Sequence, residues 1–186
     1  MNGAIFLDRD GVIIENREDY VKSWAEVDFL PGVFEGLHRL REAGWRTVMV
    51  TNQSAVGRGI ITVAFVEEVH GRMSEEIVAH DGRIDAVYFC PHHPQANCLC
   101  RKPAPGMLRQ AAEELGIDLG RSYMVGDALT DLEAARAVGA TGILVLTGRG
   151  REQAAILAKR GETHAPIVAD LEAAVEYILA NERGNS

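Results

Sequence analysis

Asp8 and Asp10 follow the apolar run Ala4-Ile5-Phe6-Leu7 and are followed at once by Gly11, so two carboxylates stand at the tip of a predicted buried strand. Open α/β sheets bind their ligands outside the C-terminal ends of their strands. Alternation points both Asp side chains to one side of an extended chain, while Gly11 lets the backbone turn sharply. One carboxylate can then attack a phosphorus or carbon centre while the other trades a proton, with Mg²⁺ holding them together. An acidic turn at a strand end has the same local appearance, so residues downstream must decide between the two.

Three later segments each bring a polar group suited to one part of that chemistry. Thr47-Val48-Met49-Val50 ends in Thr51-Asn52, a hydroxyl and an amide. Arg101-Lys102-Pro103 supplies fixed positive charge ahead of a helix signalled by Pro105 at its start and Gly116 past its end. Ser122-Tyr123-Met124-Val125 ends in Gly126-Asp127, with Asp131 four residues on, which suits a carboxylate reaching a divalent cation. Asp, Thr, Lys and Asp in that order are the parts of Mg²⁺-assisted phosphoryl transfer through an aspartyl phosphate.

The elements that must position these groups alternate. Strands are predicted at residues 4–8, 46–51, 84–90, 122–126 and 142–146, with a short sixth at 166–169. Between them, Val33, Leu37 and Leu40 share one helical face, Val66, Val69, Met73 and Ile77 a second, and Leu108, Ala111, Ala112 and Leu115 a third. Gly71 weakens the second of these helices. A terminal helix follows Asp170 and carries Leu171, Ala174, Val175, Ile178 and Leu179, and residues 181–186 are expected to fray. The pattern predicts an α/β fold with a parallel sheet of order 3-2-1-4-5, helices on both faces and the first strand central. His38, His70, His80 and His164 fall on helical or loop segments without evident partners and are expected to be solvated or packed.

The 186 residues fit one domain spanning 1–186, and 47% hydrophobic with 25% charged residues is ordinary for a globular chain with a core. No apolar stretch approaches a membrane span and no basic leader precedes the first strand, so a cytoplasmic protein with no membrane partner is expected. A net charge of −8 with scattered Lys and Arg argues against a nucleic-acid surface. A monomer acting on a small molecule is the expectation.

All three cysteines fall in Cys90-Pro91-His92-His93-Pro94-Gln95-Ala96-Asn97-Cys98-Leu99-Cys100. An odd, clustered set in a cytoplasmic chain is not a disulfide framework. Cys90, His92, Cys98 and Cys100 give four soft ligands in two pairs, which suits a closed tetrahedral Zn²⁺ site; His93 in place of His92 and plain buried thiols are the alternatives. Three thiolates and an imidazole on Zn²⁺ sum to −1, a charge that Arg101 and Lys102 would help to offset. The metal would also anchor the lysine, because the loop has little apolar content of its own.

With these residues in view the chain resembles the haloacid dehalogenase (HAD) superfamily of phosphatases, on Asp8-Arg9-Asp10-Gly11, Thr51, Lys102 and Gly126-Asp127. The zinc loop running into Arg101-Lys102-Pro103, together with Thr51-Asn52-Gln53-Ser54 and Gly57-Arg58-Gly59, narrows the likeness to the D-glycero-D-manno-heptose 1,7-bisphosphate 7-phosphatases and the neighbouring histidinol-phosphate phosphatases. Asn-Gln-Ser followed by Arg-Gly favours the heptose branch. One departure is Ala128, where many heptose phosphatases carry a lysine.

The resemblance implies a Rossmann-like HAD core and Asp8 as nucleophile, with Asp10 first protonating the leaving oxygen and then deprotonating water. It puts Asp8, the Asp10 main-chain carbonyl and Asp127 on Mg²⁺, and Thr51 and Lys102 on the phosphoryl oxygens. Asp131 is expected either behind those ligands or as a helix N-terminal acid. The intervals from Asp8 to Thr51 and from Thr51 to Lys102 are used up by core elements and the zinc loop, so the core is expected without a cap. A sugar phosphate would then be recognised by short loops, through Asn16, Tyr20, Asn52, Gln53, Ser54, Arg58 and Arg101. Asn16 and Tyr20 suit plain turns equally well, and Arg101 suits the zinc thiolates as well as a second phosphate. Two rivals from other classes are a receiver domain and a zinc-stabilised interaction module. Receivers accept phosphate on the third strand, which here ends at Cys90, and the module leaves the four motifs unexplained.

Overall fold

The computed structural model describes residues 2–162 and 165–184, so the expectations for His164 and residues 185–186 lie outside the described residues. Six strands, β1 (Ala4–Leu7), β2 (Arg46–Asn52), β3 (Ala86–Cys90), β4 (Tyr123–Gly126), β5 (Thr141–Val145) and β6 (Ile167–Val168), form one parallel sheet of order β3-β2-β1-β4-β5-β6. The expected order is correct for five strands and is extended by β6, a two-residue edge hydrogen-bonded to β5. Leu7 pairs with Met49 on one side and Val125 on the other, so the chain leaves β1 between the tips of β2 and β4.

β1 is buried throughout, and its alternation divides two cores. Ile5 and Leu7 join a cluster with Val33, Leu37 and Leu40 of α1 (Val33–Glu42), Val69, Met73 and Ile77 of α3 (Val63–Ala79), and Val175 and Ile178 of α7 (Leu171–Gly184). Ala4 and Phe6 pack on the other face with Met107, Leu108 and Ala111 of α4 (Gly106–Leu115) and Ala134 and Ala135 of α5 (Leu129–Arg136). Thr62 caps α3 by accepting from the Phe65 N–H at 3.1 Å, and nothing lies within 4 Å of where a Cβ on Gly71 would point, so the helix runs on through the glycine.

Three helices escape the sequence pattern: α2 (Ser54–Gly57) is one turn, α5 carries alanines rather than an apolar stripe, and α6 (Gly150–Arg160) is mostly exposed. Among the described residues no further domain is inserted between strands, and no helix is long and apolar enough to cross a membrane. Residues 181–184 continue α7 rather than fraying.

Candidate active site

The tips of β1, β2 and β4 deliver Asp8, Thr51 and Asp127 to the same end of the sheet, and Lys102 reaches in from the loop before α4. Lys102 is buried, and its ammonium meets three acceptors: Asp8 Oδ1 at 3.1 Å, Asp131 Oδ1 at 2.7 Å and the Val50 carbonyl at 2.8 Å. The ammonium is thereby held between two carboxylates and a main-chain carbonyl. Burial alone would lower the lysine pKa, but the Asp131 and Asp8 charges outweigh it and raise the value, so the group stays cationic. Asp8 has the opposite problem. Burial drives its pKa up to about 7, opposed by Lys102 and reinforced by Asp131, Asp127 and Asp10.

Asp127 is fully buried and is raised by burial, against the pull of Arg149. Its Oδ2 accepts from the Arg149 backbone N–H at 2.9 Å, and the guanidinium lies 3.0 Å from Oδ1. The turn after Asp10 also lies close against this carboxylate: Gly11 has a φ of +83°, and a Cβ there would collide with Asp127. Ligand oxygens of Asp8, Asp127 and Asp131 lie within 4.8 Å of one another. Asp131 is already committed, with Oδ1 on Lys102 and Oδ2 accepting the Ala128 N–H at 3.1 Å. Three buried carboxylates in one cluster, two of them, Asp8 and Asp127, pushed towards protonation by burial, are a donor set that fits a hard divalent cation.

The four cysteine-loop ligands also converge. Cys90 Sγ lies 3.5 Å from both His92 Nδ1 and Cys98 Sγ, Cys100 Sγ is 3.2 Å from His92 Nδ1, and Cys98 and Cys100 are 3.5 Å apart. These edges are close to the roughly 3.7 Å of a tetrahedron with Zn–S bonds of about 2.3 Å. His93 turns away: its Nδ1 accepts the Gln95 N–H at 3.2 Å. At Gly57 a Cβ would strike the backbone of His92 and His93, so α2 docks directly on this loop.

A family model described as haloacid dehalogenase-like hydrolase matches residues 2–136, and a second, HAD-hydrolase-like, matches residues 99–174. The D-glycero-β-D-manno-heptose-1,7-bisphosphate 7-phosphatase of Pseudomonas aeruginosa is 44% identical over 146 residues, 78% of this chain and 82% of its own. The chain belongs to this family of HAD-like phosphatases. The enzyme of the same description from Escherichia coli is 39% identical over 184 residues, covering 95% of this chain and 87% of its own. The crystal structure of the D,D-heptose 1,7-bisphosphate phosphatase from Bordetella bronchiseptica, complexed with magnesium and phosphate, superposes with a TM-score of 0.89 at 39% identity, covering 96% of this chain and 99% of that one.

In this HAD-like phosphatase several residues expected to face substrate are engaged elsewhere. Asn52 clamps the Lys102 backbone: its Nδ2 donates to the Lys102 carbonyl and its Oδ1 accepts the Lys102 N–H, both at 3.1 Å. Gln53 is buried and donates to Thr51 Oγ1 at 2.9 Å and to Asp10 Oδ2 at 3.0 Å. Ser54 is buried at the start of α2, and Arg58 is exposed at its end. Asn16 and Tyr20 lie partly buried in the loop after β1, Tyr20 at a φ of +66°; among the described residues neither is hydrogen-bonded to the carboxylate cluster. Arg101 Nη1 is buried with no hydrogen-bond partner.

Among the described residues, the three histidines expected to lack partners, His38, His70 and His80, have them. His38 Nδ1 sits 3.3 Å from the Asp81 carbonyl, His80 stacks on Phe34 at 4.0 Å, and His70 is buried beside Arg9. Arg9, His70, Thr147 and Arg149 are site residues that the sequence reading missed. Two signals were present. His70 lies four residues after Val66 and three before Met73, on the apolar stripe of α3, and Thr147-Gly148-Arg149 follows a strand end, as the other motifs do. Thr147 Oγ1 donates to the Gly11 carbonyl at 2.6 Å, tying that loop to the turn after Asp10.

Proposed function

We propose that the protein is a phosphatase that hydrolyses D-glycero-D-manno-heptose 1,7-bisphosphate at the 7-phosphate through an aspartyl phosphate on Asp8. The observation that carries this reading is the Lys102 ammonium held between Asp8 and Asp131, beside an Arg101 whose buried nitrogen lacks an acceptor, in a chain of this family. Asp8 attacks the phosphorus in line as the bond to the sugar oxygen breaks, and Asp10 gives that oxygen its proton. Asp10 then takes a proton from the water that releases phosphate, and Asp8 is regenerated. Thr51 and Lys102 orient the phosphoryl oxygens and Lys102 neutralises their charge. Asp8, Asp127 and the Asp10 carbonyl would hold Mg²⁺, which supplies further positive charge to the phosphoryl group. Asp131 holds Lys102 in place. The cytoplasm and a monomeric state fit the unpaired cysteines and the scattered exposed apolar residues Ile60, Val78, Leu99 and Ile167.

A purified sample should hydrolyse the heptose bisphosphate with a clear kcat/KM lead over histidinol phosphate. Arg101 provides the reason: a guanidinium grips a second phosphate, which the cationic amino alcohol lacks. Arg101→Ala should cost about 1.5–3 kcal/mol in transition-state binding and narrow the preference about 10- to 150-fold. Equal kcat/KM values for the two substrates in the wild type would rule out the heptose assignment.

Cys90, His92, Cys98 and Cys100 are proposed to hold a structural Zn²⁺. Elemental analysis should find about one zinc per chain, surviving EDTA that strips Mg²⁺ and stops turnover. Cys98→Ser should lower both zinc content and thermal stability; active protein free of zinc would dismiss the site.

A further inference from the structure

Arg9 stands between the two acidic motif residues and is only 3% exposed. Its guanidinium grips Asp10 with two bonds, Nε to Oδ2 at 3.1 Å and Nη2 to Oδ1 at 2.9 Å. The remaining terminal nitrogen, Nη1, lies 3.3 Å from His70 Nε2. An arginine has no acceptor, so the imidazole must accept here, which makes His70 neutral with its proton on Nδ1. Burial first, and the Arg9 charge second, pull the His70 pKa down to about 3, in keeping with that tautomer. The ring is fixed in turn by α3 and by an edge-on contact with Phe89 of β3, centroids 5.6 Å apart.

We infer that Arg9 and His70 are positioning residues for Asp10: His70 anchors the guanidinium from α3, and the guanidinium holds the Asp10 carboxylate towards the leaving oxygen. The inference rests on the acid–base role proposed for Asp10. A carboxylate that gives a proton in one half-reaction and takes one in the next must stay aimed while its charge changes. An arginine gripped only by that carboxylate would turn with it. A second contact, on a different element and in a buried site, prevents this, and Gln53 braces Oδ2 from β2's side.

The test exploits leaving groups. An alkyl sugar oxygen needs protonation to depart, whereas p-nitrophenolate leaves unaided, so a fault in aiming Asp10 must slow phosphoenzyme formation from the first and spare the second. His70→Phe keeps the ring against Phe89 and removes the acceptor. In single-turnover acid-quench measurements it should slow phosphorylation by the heptose bisphosphate about 10- to 100-fold, a share of the ~10²–10⁴ that a positioned acid contributes, with less than about threefold change for p-nitrophenyl phosphate. His70→Gln, whose amide oxygen can accept from Arg9, should recover most of the rate. Parallel losses on both substrates, or a His70→Gln variant as slow as His70→Phe, would overturn the inference. Asp10→Asn separates this result from the reading beneath it. If Asp10→Asn shows the leaving-group split and His70→Phe does not, only the anchoring role falls; if Asp10→Asn lacks the split, the acid role falls and the anchoring role with it. Should His70→Phe fail to fold, Arg9→Met cuts the same chain and must show the same split.

Discussion

Asp8→Asn should yield a folded protein with turnover reduced by roughly 10⁴-fold or more, because the amide keeps the shape of the carboxylate but is a poor nucleophile. The fold should tolerate the change, since burial already drives Asp8 towards its neutral form, with a pKa of about 7. The same shift adds a second signature. A carboxyl whose folded-state pKa exceeds the unfolded 3.8 contributes stability fully below pH 3.8 and loses it as pH rises to about 7. In EDTA, the wild type should therefore show this downward component in thermal stability between those limits, and Asp8→Asn should lack it. Steady-state assays and thermal unfolding across pH check both points. Turnover within about tenfold of wild type would remove Asp8 from the nucleophile's role.

Lys102→Met should be the most damaging to stability. It leaves Asp8 and Asp131 facing each other in a buried site without their shared cation, and breaking a buried pair costs about 3–5 kcal/mol. For a chain of this size that is roughly a 10 °C fall in Tm, and activity should vanish with the charge that neutralises the phosphoryl oxygens. Adding Asp131→Asn removes one orphaned charge while its side-chain oxygen still accepts the Ala128 N–H. The double variant should regain part of the stability and none of the activity. A single variant as stable as wild type would show that the buried ion pair has been overvalued.

The groups that converge at the sheet mouth were legible because each follows a run whose hydrophobicity fixes its place in the sheet. Asp8 comes after Ala4–Leu7, Thr51 after Val48–Val50 and Asp127 after Tyr123–Gly126, and parallel pairing aligns their tips. What local pattern could not supply was the choice of partner. Asn52 and Gln53 look like substrate donors in isolation, yet one clamps Lys102, 50 residues away, and the other bridges Thr51 to Asp10. Arg9 finds His70 across 61 residues. α5 and α6 were missed for a different reason: they lack the apolar stripe that marks a helix, and α5 is held by small alanines and by Asp131 at its start.

Lysine is among the costliest side chains to immobilise, with up to about 2 kcal/mol of rotamer entropy to lose. At Lys102 that loss falls on folding, because Asp8, Asp131 and the Val50 carbonyl fix the ammonium and Asn52 fixes the backbone beneath it. A phosphate ester arriving at the mouth of the sheet meets a cation that has no freedom left to give up. Its binding energy is then available for the ester's own alignment with Asp8, turnover after turnover.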